Sequence, residues 1–370
     1  PFCLNAAPGS KQPTFLPLTY KNTSIMVSFV KAHTALDEAT GTGAFQRTAS
    51  AFRGEIGSPE FPSEAGRYHL YISYACPWAT RCLAVRNLKG LEDAIGLSVV
   101  HPTWQKTRPN DPQDGHAGWV FRSEDDEPLP TSTGHGAFRV SGVVPDVVNS
   151  TRSVRELYER CSDQRGKYSV PVLWDKKTSQ IVNNESSEIV RMFNSAFNEI
   201  AANPDVNIYP EELRKEIDAV NEWVYPTIND GVYRCGFARS QEAYDTAISQ
   251  LFPSLDRVED ILNKQRYIAG NRFTEADIRL FMTLVRFDEV YVVYFKTNCK
   301  RVEDYHNMFN YCRELYQMPW MQVAINMEHI KVHYFTSHPT LNFYGIIPKG
   351  GDTVAKLLQP HDRDKFGSNP

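Results

Sequence analysis

No two of the seven cysteines form a CxxC pair; they stand alone as Cys3, Cys76, Cys82, Cys161, Cys235, Cys299 and Cys312. That absence excludes a zinc knuckle and a dithiol redox motif. Seven cysteines in 370 residues are also too sparse for a disulfide scaffold, which points to a reducing, cytoplasmic setting. Phosphate-cradling loops are missing: there is no GxGxxG, no P-loop and no Gly-x-Ser-x-Gly elbow. Dinucleotide, nucleoside-triphosphate and α/β-hydrolase chemistry are therefore disfavoured. There is no basic excess, with 40 Lys and Arg against 44 Asp and Glu, so a nucleic-acid partner is not expected. The most apolar stretch, 290–295, is interrupted by Tyr291 and Tyr294. It falls far short of the roughly 20 residues that cross a bilayer. Residues 1–36 hold no Asp, Glu or Arg and only Lys11, Lys21 and Lys31. A mitochondrial targeting leader is one reading of such a segment. A flexible appended extension is the favoured one, with Met26 a natural start for the remainder of the chain.

What is present is ordinary globular material, 41% hydrophobic and 23% charged, long enough for two domains and a tail. Aromatics reach 12%, with 18 Tyr and 20 Phe, a share that fits a site handling flat rings.

Residues 67–73 alternate Tyr68, Leu70 and Ile72 against His69 and Tyr71, the period of a strand. From Pro77 the chain reads as a helix, since proline suits a first turn whose N–H has no partner. Ala79, Cys82, Leu83 and Arg86 follow at helical spacing, and Lys89-Gly90 supplies a basic last turn and a stop. Residues 95–100 form a second apolar strand, completing a βαβ unit. Residues 105–150 break the pattern with Gly, Pro, Asp and Glu, a long insertion of the kind that is functional or disordered. A short helix over 153–161, strands over 170–175 and 180–183, and a helix opened by Glu185-Ser186 come next. The order βαβ, then αββα, is thioredoxin-like. A linker spans 203–210, and helical periodicity dominates from Glu211. Thr274-Glu275-Ala276-Asp277 heads one helix as a capping-box variant.

Cys76 carries the strongest chemical signal. It ends a strand and precedes a helix N-terminus, where unpaired N–H groups and the helix dipole favour a thiolate and lower the thiol pKa. The motif is Cys-Pro-Trp-Ala, so no resolving cysteine stands three residues on. Cys82 lies about 9 Å of helix rise away, too far for a disulfide, and an external thiol must finish any redox cycle. Val170-Pro171 is the second signal. A cis-proline entering the third strand of such a domain lies beside the thiol and leaves the preceding backbone free to pair with a peptide. Glu185-Ser186 at a helix start is the third. Free N–H groups and a hydroxyl suit a carboxylate, and Glu185 suits an ammonium group; plain helix capping is the alternative. His329 and His333, four apart, could share a helix face, but no acid or cysteine pattern completes a ligand set, so no metal is expected.

YISYACPWA, SVPVLWD, IVNNESSEIVRMFN, YPTINDGVYRCGFA and FDEVYVVYFKTN occur in this order over about residues 45–345. Together they closely resemble the glutathionyl-hydroquinone reductases, the xi-class glutathione transferases related to the omega class. The resemblance implies an α/β thioredoxin-like N-terminal domain and an all-α C-terminal domain, the glutathione transferase fold. Residues 1–44 would be an N-terminal extension and 45–200 the glutathione-binding domain with its insertion at 105–150. Residues 211–345 would be the helical substrate domain and 346–370 a C-terminal tail. Cys76 matches the catalytic cysteine. Trp119 matches a tryptophan that contacts glutathione from the long loop, Val170 the backbone anchor, and Glu185 and Ser186 the γ-glutamyl site. Tyr225 and Tyr334 match the tyrosines that hold the hydroquinone, with Tyr233 and Tyr291 as competing candidates. Glutathione would be the co-substrate, with no metal or nucleotide, in a homodimer of the cytoplasm. The rivals are a conjugating glutathione transferase, an omega-like thioltransferase or dehydroascorbate reductase of broader range, and a non-catalytic ligand carrier.

Overall fold

The computed structural model describes residues 31–367, so the first 30 residues of the expected 1–44 extension, including Met26, lie outside the described residues. A four-stranded sheet in the order β2-β1-β5-β6 is built from β1 (Tyr68–Ile72), β2 (Ile95–Val99), β5 (Val172–Asp175) and β6 (Gln180–Asn183). β1 and β2 run parallel, as a βαβ crossover through α1 (Pro77–Leu88) requires, and the other two pairings are antiparallel. With α2 (Val154–Arg160) and α3 (Ser186–Ser195) the thioredoxin-like order is complete.

The alternation in β1 predicts one wet face, yet all five residues are buried. The insertion explains this. It forms a two-residue-strand hairpin, β3 (Gln105–Lys106) with β4 (Ala117–Gly118), and then returns across the sheet. Val144 pairs with Val99, Tyr71 donates to Asp146 at 2.7 Å, and Ser98, bonded to His69 at 2.9 Å, donates to the Pro145 carbonyl. The polar atoms of the second face are thus satisfied by the insertion rather than by water.

The C-terminal domain is helical: α4 (Arg214–Val224), α5 (Gly231–Gly236), α6 (Gln241–Leu262), α7 (Glu275–Arg286), α8 (Val292–Tyr294), α9 (His306–Tyr316), α10 (Pro319–Gln322), α11 (Met327–Thr336) and α12 (Thr353–Leu357). Two π-helical turns, Tyr225–Asn229 and Phe287–Tyr291, interrupt its regular geometry. Such turns cluster at functional sites. Ile278, Phe281, Met282 and Val285 of α7, at helical spacing, are buried.

Neither end is loose where the structure describes it. Residues 31–48 form a strap over both domains: Glu38 pairs with Lys167 at 2.6 Å, and Arg239 and Ser240 donate to the Gly43 and Thr42 carbonyls. The segment drawn as a tail is docked as well. The Arg363 guanidinium, fully buried, donates to the carbonyls of Leu262, Gln265 and Arg266. Lys89, read as a basic last turn, is buried, and its ammonium donates to Asn198 and to the Pro204 and Val206 carbonyls of the linker.

At the head of α7 the buried Asp277 carboxylate accepts from the Thr274 N–H at 2.9 Å, the Ile268 N–H at 2.9 Å and the Tyr311 hydroxyl at 3.0 Å. The Thr274 hydroxyl donates to it as well, at 3.1 Å, so removing the carboxylate strands four donors at once. Asp277→Ala is expected to lower stability by about 3 kcal/mol and Asp277→Asn by less, since an amide oxygen still accepts. Urea unfolding of both variants measures the difference.

Candidate active site

A cavity of about 530 Å³ opens between the domains, and Cys76, Trp119, Val170, Glu185, Ser186, Tyr225 and Tyr334 all line it. Cys76 is the N-cap of α1, with extended backbone (φ −77°, ψ 115°) and Pro77 in the first turn. Its Sγ stands 3.4 Å from the Val170 carbonyl. The Val170–Pro171 bond is cis.

The expected fall in the thiol pKa is not what the site produces. Burial pushes the Cys76 thiol up, while the Ala79 and Trp78 N–H groups and the Arg286 and Arg47 charges pull it back. Local sequence shows a helix start but not the depth at which it lies, and desolvation outweighs the dipole. Cys82 is fully buried one and a half turns on, with its Sγ 3.6 and 3.7 Å from the Trp78 and Ser186 carbonyls.

The first corner of the cavity is polar. Glu185 caps α3, accepting from the Ser187 N–H and hydroxyl through one oxygen and from the Ser50 hydroxyl through the other. Helix capping, the alternative named from sequence, is thus in place. Three donors leave a carboxylate, with its roughly four lone-pair sites, room for one more. The Ser186 hydroxyl beside it is buried without a hydrogen-bond partner. An unsatisfied hydroxyl at the start of a ten-residue helix suits an incoming carboxylate.

The opposite corner is aromatic. The Tyr334 hydroxyl lies 2.5 Å from that of Tyr233 and 3.1 Å from that of Tyr291, a chain of three buried phenols. Burial pushes all three up, so they are neutral donors at neutral pH. Tyr233 lines the cavity beside Tyr334, with Tyr291 behind them. Tyr225 stands apart from this chain. It begins a π-turn, and the charged groups nearest its phenol are Arg47, Asp230, Arg81 and Glu185.

Trp119 closes the cavity from the insertion, stacked on His333 of α11 at 4.4 Å with Trp104 edge-on at 5.5 Å. His333 bonds the Pro102 carbonyl at 2.9 Å, and burial pushes its pKa down to about 3, leaving a neutral ring. His329 bonds the Ser141 carbonyl at 2.7 Å instead. The two histidines therefore tie the insertion to α11 at separate points. Among the described residues no group of three His, Cys, Asp or Glu could hold a metal.

Sequence reasoning missed Arg47 and Arg286. The Arg47 guanidinium pairs with Asp230 at 2.7 Å and lies 4.0 Å over the Trp78 ring and 4.9 Å over Tyr233. It comes from a stretch without periodicity, and its partner is 183 residues away, so no local pattern marks it.

The family model for the glutathione S-transferase N-terminal domain matches residues 75–196, and that for the C-terminal domain matches residues 241–314. The chain is 45% identical over 341 residues to the Escherichia coli glutathionyl-hydroquinone reductase YqjG, covering 89% of this chain and 95% of that protein. It resembles the crystal structure of the glutathione-S-transferase Xi from Phanerochaete chrysosporium at 46% identity and a TM-score of 0.76, covering 86% and 100% of the two chains. The glutathione-bound structure of YqjG matches at 43% identity and a TM-score of 0.74, covering 85% and 96%.

Peptide-resolved alkylation with iodoacetamide should modify Cys76 long before Cys82, which stays protected until the chain unfolds. Because burial raises the Cys76 thiol, its rate should reach half-maximum above the pH of about 8.5 of an ordinary thiol. A midpoint below that value would rank the two arginines above desolvation.

Proposed function

The chain belongs to the xi-class glutathione transferases, and from that membership we propose that it is a glutathionyl-hydroquinone reductase with Cys76 as its nucleophile. One observation carries the reading. A lone thiol stands on a single cavity between a polar corner suited to an α-amino acid and a chain of phenols suited to a ring oxygen.

In the first step the Cys76 thiolate attacks the glutathione sulfur of the conjugate. A Cys76–glutathione disulfide forms, the ring carbon–sulfur bond breaks, and its electron pair stays on the ring, which takes up a proton and leaves as the hydroquinone. A second glutathione thiolate then attacks the mixed disulfide, giving oxidised glutathione and free Cys76. Ser186, Glu185 and the N–H groups of α3 would hold the γ-glutamyl end, Val170 the cysteinyl backbone, and Trp119 the outer face. Tyr334, backed by Tyr233 and Tyr291, would donate to a ring oxygen as charge develops there. Tyr225 would lie at the seam between the two halves. A conjugating transferase needs a hydroxyl that stabilises the thiolate of glutathione itself, whereas a cysteine at that place traps glutathione as a disulfide. The same proposal places the enzyme in the cytoplasm as a homodimer, which light scattering tests as a species larger than the 42.1 kDa chain.

Cys76→Ser should abolish release of hydroquinone from glutathionyl-menadiol without altering the fold. It should also eliminate the adduct of about 305 Da that glutathione leaves on a thiol. Substantial activity in that variant would refute the mechanism. Tyr334→Phe should lower kcat roughly 10- to 100-fold, the ~1–3 kcal/mol of one lost donor, and leave the KM for glutathione nearly unchanged. Tyr225→Phe should cost less. Steady-state kinetics with each substrate varied in turn separates the two tyrosines.

A further inference from the structure

Arg286 ends α7 and is fully buried. Its Nε donates to the Ala75 carbonyl at 3.1 Å, Nη1 to the Met282 carbonyl at 2.5 Å, and Nη2 to the Tyr74 carbonyl at 2.9 Å and to the Thr80 hydroxyl at 3.2 Å. The Thr80 hydroxyl in turn donates to the Cys76 carbonyl at 3.1 Å. The backbone on both sides of the thiol is thus held by one guanidinium from the other domain. Every acceptor is neutral. Buried guanidiniums elsewhere are of two kinds: Arg67, Arg155 and Arg266 pair with Asp175, Asp114 and Glu314, whereas Arg81, Arg86 and Arg363 donate to backbone carbonyls away from the Tyr74–Cys76 turn. Arg286 makes no ion pair among the described residues, although a buried cation without a counter-charge is costly. Neutral donors would serve the hydrogen bonds alone. The surplus is the charge, and it lies beside the one group of the site that must become an anion.

We propose that Arg286 is a positioning residue for Cys76, a guanidinium that clamps the Tyr74–Ala75–Cys76 turn and whose unpaired charge is compensated when the thiolate forms. The clamp keeps the sulfur at the head of α1 while the charge holds the anion ready, and one residue supplies both only because its fork spans two consecutive carbonyls. The inference rests on the reductase reading for its effect on turnover, but not for its effect on the thiol. The other charged and titratable groups facing Cys76 are Arg47 of the strap, Tyr233 of α5, Tyr291 of the second π-turn and Cys82 of α1. Among them only Arg47 is a second cation, and Asp230 already neutralises it.

The test uses the full chain free of glutathione. The pH midpoint of Cys76 alkylation is read by peptide mass spectrometry, beside turnover of glutathionyl-menadiol. Arg286→Gln should raise the midpoint by about one unit, slowing alkylation at pH 7.5 about tenfold. Arg286→Lys keeps the charge but not the fork. Its midpoint should stay near that of the wild type while kcat falls and the KM for glutathione is unchanged. A folded Arg286→Gln protein with an unshifted midpoint would overturn the proposal. If that variant does not fold, Arg286→Lys decides, and wild-type values for both midpoint and kcat in it would overturn the proposal. Loss of the fold in both variants would assign Arg286 to the domain interface alone and would also overturn it. A wild-type protein that titrates as expected but releases no hydroquinone would sink the reductase reading and leave the role of Arg286 standing.

Discussion

Helix α1 has no face turned to water. None of its residues from Pro77 to Leu88 is exposed, because the sheet and α3 cover one side and α7 and α10 cover the other. A helix buried all round is usually apolar throughout. This one carries Arg81 and Arg86, so the surrounding backbone must satisfy them. Arg81 donates to the Arg279 carbonyl, and Arg86 to those of Ile95 and Glu92. The domain seam is therefore built around α1 rather than beside it. Cys76, at its head, is placed by the packing of both domains at once.

That placement creates a conflict for the thiol. The head of a helix favours an anion, and burial of the thiol between the domains opposes one. Four groups act on the side of the anion: two N–H groups of the first turn, Arg47 from the segment ahead of β1 and Arg286 from α7. The Cys76 thiol thus draws half of that support from the strap and from α7. A thioredoxin-like domain separated from its partners would keep the motif and lose part of its electrostatics.

Much of the architecture was legible in the chain because it is local. The alternation in 68–72, the proline at the start of α1 and the Thr274–Asp277 cap each lie within a few residues, and each element forms where it was expected. The seven site residues named from sequence all reach one cavity, since motif order fixes which element bears each of them. The rest depended on partners distant in the chain. Arg47 finds Asp230 across 183 residues, and Arg286 finds the Ala75 carbonyl across 211. The Tyr233–Tyr334 contact spans 101 residues, so no spacing rule could favour Tyr233 over Tyr225 as the companion of Tyr334. Burial of the second face of β1 was hidden for the same reason, because the cover comes from an insertion without periodicity.

The thiol, the Val170–Pro171 segment and the α3 N-terminus belong to the thioredoxin-like domain, and nothing in that trio is shaped to one leaving group. What narrows the choice must lie in the walls added to it. Three separate segments supply those walls, and each is fastened to the helical domain by a specific contact. The strap is held through Arg47 and Asp230, the insertion through Trp119 stacked on His333, and the Cys76 turn through Arg286. Because each fastening ends beside the phenol chain or the thiol, a shift in any wall reaches the Cys76 sulfur directly. On the proposed function, selectivity for a bulky aromatic leaving group and support of the Cys76 thiolate would then follow from one set of contacts. A change that loosens the aromatic corner to admit other substrates should weaken the thiol as well.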